Sequence, residues 1–220
     1  MFEEKDYLTK MIEEFRGAIG KIIGLKAQNR IDESQEVLAE TLKTFTNLDK
    51  EVLEALPYEI LIHKVSGPKQ NSERCLMLGE LLKQQGDIYQ LGGEEARARN
   101  SYLKSLNIII YGLLKDDNLL TQQIQDSVDE LIENIGWFKA SDETKLLLFQ
   151  YYELIKNYAK AEDVLFSLVD KTQVNEDLLD KGKAYYKRLL NKDPLELEEG
   201  NLPYNEVLEG LAAIEKYRTE

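Results

Sequence analysis

The sequence predicts an all-α protein made of stacked antiparallel helical hairpins, with no β-sheet. Its 220 residues are rich in Leu, Glu, Lys, Ala, Ile and Gln and include only four prolines, a mixture that favours helix. Apolar residues recur at steps of three and four along most of the chain, the spacing of amphipathic helices. No stretch alternates convincingly with a period of two. We therefore expect ten to twelve helical segments.

The predicted helices follow one another with short breaks. They cover approximately residues 8–23, 32–45, 50–56, 57–65, 72–91, 94–110, 119–135, 142–156, 159–169, 176–190 and 203–217. Side chains suited to helix N-caps precede three of them: Asn71 (or Ser72), Ser141 and Asn175. Asp193-Pro194 is predicted to open only a short turn.

Two glycine features bear on packing and on domain organisation. Gly20 and Gly24 lie four residues apart on the first helix, a spacing that predicts close packing of another helix. Ser66-Gly67-Pro68 is the strongest break in the N-terminal half. It predicts an N-terminal helical cap over residues 1–66 and a repeat-like body over residues 67–220, within what we expect to be one continuous domain.

Charge and composition exclude several classes of protein. The net charge of −13 divides into −3 over residues 1–110 and −10 over residues 111–220, and such a field disfavours nucleic acid and anionic membrane surfaces as partners. No apolar run is long enough to span a bilayer, and the acidic N-terminus does not resemble a signal peptide. With the single cysteine, Cys75, predicted to be a buried small residue, we expect a cytoplasmic protein.

The sequence offers no recognisable catalytic, metal or cofactor site. His63 is the only histidine, and it lies in the amphipathic stretch ILIHKV, where a packed or partly exposed histidine is the simpler interpretation. The acidic residues Asp126, Asp129, Glu130 and Glu133 have helical spacing but lack the histidines of a di-iron site. We interpret them as a solvated face, and we expect no enzyme activity.

The stretch Leu82–Ile110 carries the clearest repeat signal. It is predicted to form a hairpin that turns at Gly92-Gly93, and its packing positions are Gly86, Tyr89, Ala98, Tyr102 and Ser105. These spacings resemble the tetratricopeptide repeat, in which small residues let two helices approach and aromatic residues fill the remaining space. Gln85 and Ile110 depart from that pattern, where leucine and proline are usual.

A weaker copy of the same pattern follows 63 residues later. Its positions are Tyr152, Ala161, Leu165 and Leu168, with a turn at Asn157-Tyr158 and Phe149 in place of the small residue. The resemblance implies a right-handed α-solenoid. The opening DYLTKMIEEFRGAIGKII and the closing YYKRLLNKDPLELEEGNLPYNEVLEGL resemble an uncharacterised family of helical, tetratricopeptide-like proteins from Gram-positive bacteria, which implies no known function.

Tyrosines gather in the C-terminal third. They are Tyr151, Tyr152, Tyr158, Tyr185 and Tyr186. We interpret them mainly as core and inter-helix residues. Because adjacent side chains on a helix point in different directions, we also expect part of each adjacent pair to be exposed or at an interface.

The leading functional hypothesis is a non-catalytic scaffold whose helical groove binds a protein or peptide. The first helix of each hairpin would line that groove, which gives Lys83, Asp87, Gln90, Gln150 and Glu153 as candidate binding residues. Two alternatives remain open: a small-molecule-binding or enzymatic helical domain with a tyrosine-lined pocket, and the sensor half of a peptide-responsive regulator. A homo-oligomer is possible.

Overall fold

The computed structural model describes residues 2–66, 71–169 and 176–217, with side chains from residue 10 onward. These ranges contain twelve α-helices and no β-strand. The helices are α1 (Phe2–Ala27), α2 (Ile31–Thr46), α3 (Lys50–Ala55), α4 (Tyr58–Ser66), α5 (Ser72–Leu91), α6 (Glu95–Lys115), α7 (Gln122–Ile135), α8 (Asp142–Leu154), α9 (Tyr158–Val169), α10 (Glu176–Leu189), α11 (Pro194–Glu199) and α12 (Tyr204–Lys216). The all-helical fold predicted from the sequence is confirmed.

The described residues form two compact units, Met1–Gly136 and Trp137–Glu220. Within the first unit, α1, α2 and α4 pack against α5 and share one core with it. The predicted boundary after residue 66 stays a prediction. The Gly67-Pro68 break and the proposed Asn175 cap lie outside the described residues, as does the side chain of Leu8. No described helix is both long and apolar enough to cross a membrane.

Helix α5 is the central helix of the first unit. Its residues 81–86 are all buried. They are buried because α1, α2 and α4 pack against α5 and because α6 pairs with it in the hairpin. The core includes Ile22, Leu42, Leu61, Leu78 and Ile88. Burial of a helix on nearly all sides explains why its sequence has only a weak amphipathic pattern.

The α5–α6 hairpin packs as the small residues predicted. A Cβ atom on Gly86 would come within 2.4 Å of the Tyr102 ring, so the absence of a side chain is what admits that ring. Ala98 is fully buried, and the Ser105 hydroxyl donates to the Gly79 carbonyl at 2.7 Å. The turn is completed by Gly93, whose φ of 75° lies in the left-handed region that favours glycine.

The second unit contains a second helical hairpin, α8 followed by α9. Helix α10 packs against α9 and α12, and α11 contacts α12. The predicted turn is present: Asn157 precedes α9 and its side chain accepts a hydrogen bond from the Lys160 amide. Ala161, Leu165 and Leu168 are buried, as their place in the pattern requires.

Two predicted boundaries move for local reasons. Helix α7 begins at Gln122 instead of Leu119, because the Thr121 side chain caps it and residues 117–119 form a 3₁₀ turn. Pro194 opens a six-residue helix rather than a short turn, since Asp193 accepts from the Leu195 amide and proline suits the first helical position. The Asn71 and Ser141 caps are confirmed by side-chain hydrogen bonds.

The prediction of close helix packing at Gly20 and Gly24 is wrong. A Cβ atom at either position would have no neighbouring atom within 4 Å, and Gly20 is exposed. The glycine spacing shows only which face of the helix carries no side chains. It does not show whether another helix packs against that face.

Candidate functional site

Two of the predicted binding residues, Lys83 and Asp87, belong to an internal ion-pair network. Asp87 accepts from Lys26 Nζ of α1 at 2.6 Å and from the Tyr102 hydroxyl of α6 at 3.0 Å. Lys83 Nζ lies 2.9 Å from Glu130 of α7 and 3.9 Å from Asp87. The network therefore connects four helices of the first unit, and both residues already have charged partners.

The electrostatics agree with that structural role. Burial acts to lower the pKa of Lys83, but the hydrogen bond to Glu130 and the charge of Asp87 raise it on balance. Burial and the Asp87 carboxylate also raise the pKa of Tyr102. Lysine thus stays charged and tyrosine neutral, as the hydrogen bonds require.

The other predicted binding residues lie in different surroundings. Gln90 and Gln150 are exposed. Glu153 is partly buried and accepts two hydrogen bonds from Arg188, at 2.7 and 2.8 Å. Gln90 belongs to the first unit, and Gln150 and Glu153 belong to the second. A binding role for these residues stays a prediction.

A second polar network joins the N-terminal helices to the hairpin. Glu54 of α3 accepts from the Tyr89 hydroxyl and from Arg97, and the Arg97 guanidinium also lies 4.2 Å from the centre of the Tyr89 ring. Burial raises the pKa of Glu54, but the hydrogen bonds from Tyr89 and Arg97 lower it on balance. Lys104 donates to the last carbonyls of α3.

The expected partial exposure of the tyrosine pairs is wrong. The side chains are 0–4% exposed, and they lie in the core of the second unit: Tyr151, Tyr152, Tyr158, Tyr185 and Tyr186. Glycine at position 210 leaves room for the Tyr186 hydroxyl, which donates to Glu162 at 2.6 Å. All five side chains are buried, and the hydroxyls of Tyr158, Tyr185 and Tyr186 donate hydrogen bonds within the unit, so the core interpretation of the tyrosines is confirmed.

An open groove lies between α1, α2 and the first turn of α5. Its volume is about 370 Å³, within the range of ligand-binding clefts. It is lined by Lys10, Met11, Glu14, Phe15 and Ala18 of α1, by Glu40, Thr41, Thr44 and Phe45 of α2, and by Arg74 of α5. Phe15 and Phe45 also pack against the core of the unit, so the apolar floor rests on a fixed support.

Arg74 brings to the groove a buried donor, its Nε atom, that has no hydrogen-bonding partner among the described residues. Its guanidinium lies over the Phe45 ring, 5.2 Å from the ring centre. Its Nε atom is buried, yet no described residue accepts a hydrogen bond from it. An unsatisfied buried donor normally costs about 1–3 kcal/mol, so its presence in a native fold calls for an explanation.

Charge is distributed unevenly along the groove. Helices α1 and α2 form an antiparallel pair, in which the Ser34 hydroxyl contacts the Ile22 carbonyl. Lys10 and Phe45 therefore lie toward the same end, where Arg74 is stacked, and Glu40 lies toward the other end. Arg74 and Lys10 make one end of the groove basic. Glu14, whose carboxylate lies 3.8 Å from Lys10 Nζ, and Glu40 make the groove acidic beyond that end.

The sequence pattern did not predict this groove, because Phe15 and Phe45 lie on ordinary amphipathic stripes of the first two helices. One signal was available: Arg74 occupies the first turn of α5, where the positive end of the helix dipole disfavours a basic side chain. A residue placed against its local electrostatics can indicate a functional constraint.

The remaining candidates for chemistry are dispersed. His63 is exposed on α4, and Asp126, Asp129, Glu130 and Glu133 are exposed along α7, as the solvated-face interpretation expects. Within the described ranges no three His, Cys, Asp or Glu side chains come together in a way that could hold a metal ion. Cys75 is buried, and burial raises the pKa of its thiol to about 11.

The described residues form an all-helical fold with an open groove between α1 and α2. Residues 1–219 match DUF6483, a family of unknown function, and the chain belongs to that family. No curated protein and no solved structure matches the chain significantly.

Proposed function

We propose that the protein is a non-catalytic, cytoplasmic scaffold that binds a peptide segment of a partner protein in the groove between α1 and α2. The observation that carries this proposal is a fixed aromatic floor, formed by Phe15 and Phe45, beside a guanidinium with an unsatisfied buried donor. Apolar grooves between two helices are a recurring means of binding an amphipathic segment.

The hairpins support a tetratricopeptide-like interpretation of the architecture. Gly86 packs against Tyr102, and one alanine is buried in each hairpin, Ala98 in the first and Ala161 in the second. Small residues at these positions are typical of that repeat. In this chain, however, α1 and α7 already engage the α5 residues that would line the inner face of such a repeat. We therefore assign binding to the α1–α2 groove rather than to that face.

A selection experiment tests the proposal. A phage-displayed library built on an alanine-rich 14-residue helix with randomised positions is selected against the wild-type protein. Recovered peptides are then measured against Ala18→Trp, which fills the groove, and Ala212→Trp, an exposed alanine of α12 that serves as the control. We expect Ala18→Trp to weaken binding at least 10-fold and Ala212→Trp to leave it unchanged.

Thr44→Trp provides a second obstruction from the exposed α2 side of the groove, in case Ala18→Trp disturbs α1. Circular dichroism melting establishes that each variant is folded. The proposal is rejected if selected peptides bind both groove variants as tightly as the wild type, or if no peptide binds at all.

A further inference from the structure

We infer that the groove selects an amphipathic helix carrying an acidic side chain, which Arg74 binds, and a basic side chain one to two turns away, which faces Glu40. This inference rests on the proposed function, and it adds the chemistry and direction of the occupant.

The first step compares Arg74, which has no ion-pair partner among the described residues, with two arginines that have one. Arg97 binds Glu54 and Glu94, and Arg188 binds Glu153. Arg74, by contrast, has a stacking partner in Phe45 but no carboxylate within ion-pair distance among the described residues. A guanidinium stacked on an aromatic ring still has the N–H groups along its edge free to bind a carboxylate. The spacing of those N–H groups matches the two oxygens of a carboxylate.

The second step is the identity of the carboxylate. A groove between two packed helices has the shape that a third helix fills. The C-terminus of a helix carries unpaired carbonyls and a partial negative charge, so a terminal carboxylate is disfavoured there. An Asp or Glu side chain beside the apolar stripe avoids that penalty, and it is favourable near the N-terminus of the occupant.

The third step is direction. Lys10 lies at the same end as Arg74, and Glu14, one turn further along α1, is its ion-pair partner at 3.8 Å. Glu40 lies five residues of helix from Phe45, or about 7.5 Å, so the two carboxylates lie beyond the Arg74 end. An occupant with an acidic residue at the Arg74 end and a basic residue near Glu40 would match both ends. The reversed arrangement would place like charges together, which disfavours it.

The test uses the helical peptides selected against the wild-type protein. Each is synthesised with a fluorescent label in its original form and with its acidic residue changed to Asn or Gln. Dissociation constants are measured by fluorescence anisotropy with the wild type and with Arg74→Met, which keeps the apolar stem but removes the charge. We expect either change alone to weaken binding about 10-fold or more. The two changes together should cost little more than one, because both remove the same interaction.

The outcomes separate this inference from the proposed function. Peptides that lose affinity for Ala18→Trp but bind Arg74→Met normally would overturn the carboxylate assignment and leave the groove intact. The carboxylate assignment would also be overturned if the peptides selected against the wild-type protein lacked an acidic residue. Peptides insensitive to Ala18→Trp would overturn both. Arg74→Lys provides a check on folding and charge: it should recover part of the affinity, since it restores the charge without the planar donor edge.

Discussion

Asp87 of the α5–α6 hairpin and Arg74 of the α1–α2 groove differ in one respect: whether the fold itself provides a partner for the charged group. Asp87 accepts hydrogen bonds from Lys26 and Tyr102, and it forms an ion pair with Lys83. Arg74 has an aromatic surface beneath it and an Nε donor without a partner. The interactions of Asp87 stabilise the fold, and that role is enough to explain its presence. The unpaired Nε donor of Arg74 does not stabilise the fold. That difference is our reason for assigning function to the groove.

The largest effect should come from Asp87→Ala. It leaves Lys26 and Lys83, whose side chains are only 14% and 10% exposed, without their shared carboxylate. Removing one partner of a largely buried ion pair is expected to lower the free energy of unfolding by about 3 kcal/mol. Urea denaturation measures this change. Glu14→Ala, at the exposed rim of the groove, is the control and should change stability by less than about 0.5 kcal/mol.

Smaller changes in the free energy of unfolding, of opposite sign, are expected when the helical glycines Gly86 and Gly20 are replaced by alanine. Gly86→Ala places a Cβ atom against the Tyr102 ring and should destabilise the protein by about 2 kcal/mol. Gly20→Ala meets no atom within 4 Å and should stabilise it by about 0.5–1 kcal/mol through helix propensity. Thermal melting compares the two. Equal effects would mean that hairpin packing at Gly86 is looser than described.

The Glu54 network should make stability depend on pH. Because its pKa is lowered in the folded protein from the ordinary 4.5, its contribution is complete above about pH 4.5 and is lost as the pH falls through the folded value. Glu54→Gln should therefore cost about 1 kcal/mol at pH 7 and progressively less in more acidic solution. Urea midpoints at pH 7 and pH 3.5 measure this, with Glu51→Gln as an exposed control on the same helix. A cost that does not change with pH would exclude an ionised Glu54.

The smallest effect on stability is expected for Arg74→Met. The side chain has no carboxylate partner among the described residues, and methionine can occupy the same place on the Phe45 ring. Removal of the unpaired Nε donor favours folding, and loss of the guanidinium–ring contact opposes it. The two effects should nearly cancel, so we expect the free energy of unfolding, measured by urea denaturation, to change by less than about 0.5 kcal/mol. A loss comparable to that of Asp87→Ala would show that Arg74 has a structural role after all.

Local signals in the sequence predicted the helices well. Caps at Asn71 and Ser141 and the turn at Gly92-Gly93 depend on neighbouring residues only, and the structure has all three. The burial of Gly86 against Tyr102 was also predictable, because hairpin partners lie close together in the chain.

Features that depend on distant packing could not be predicted in the same way. The open space beside Gly20 and the burial of both tyrosine pairs are set by which helices pack over them. The groove itself combines α1 and α2 with Arg74, about thirty residues further along the chain than Phe45, so no local pattern contains it.

Nuclear magnetic resonance of the Arg74 side chain tests the central claim most directly. The Nε–Hε signal of Arg74 is identified by its absence from the spectrum of Arg74→Met, and the wild-type protein is titrated with a groove-selected peptide. We predict that this signal shifts with the acidic peptide and moves much less with its Gln counterpart at equal groove occupancy. An Arg74 signal that stays unchanged while the acidic peptide binds, or that responds equally to both peptides, would contradict the account.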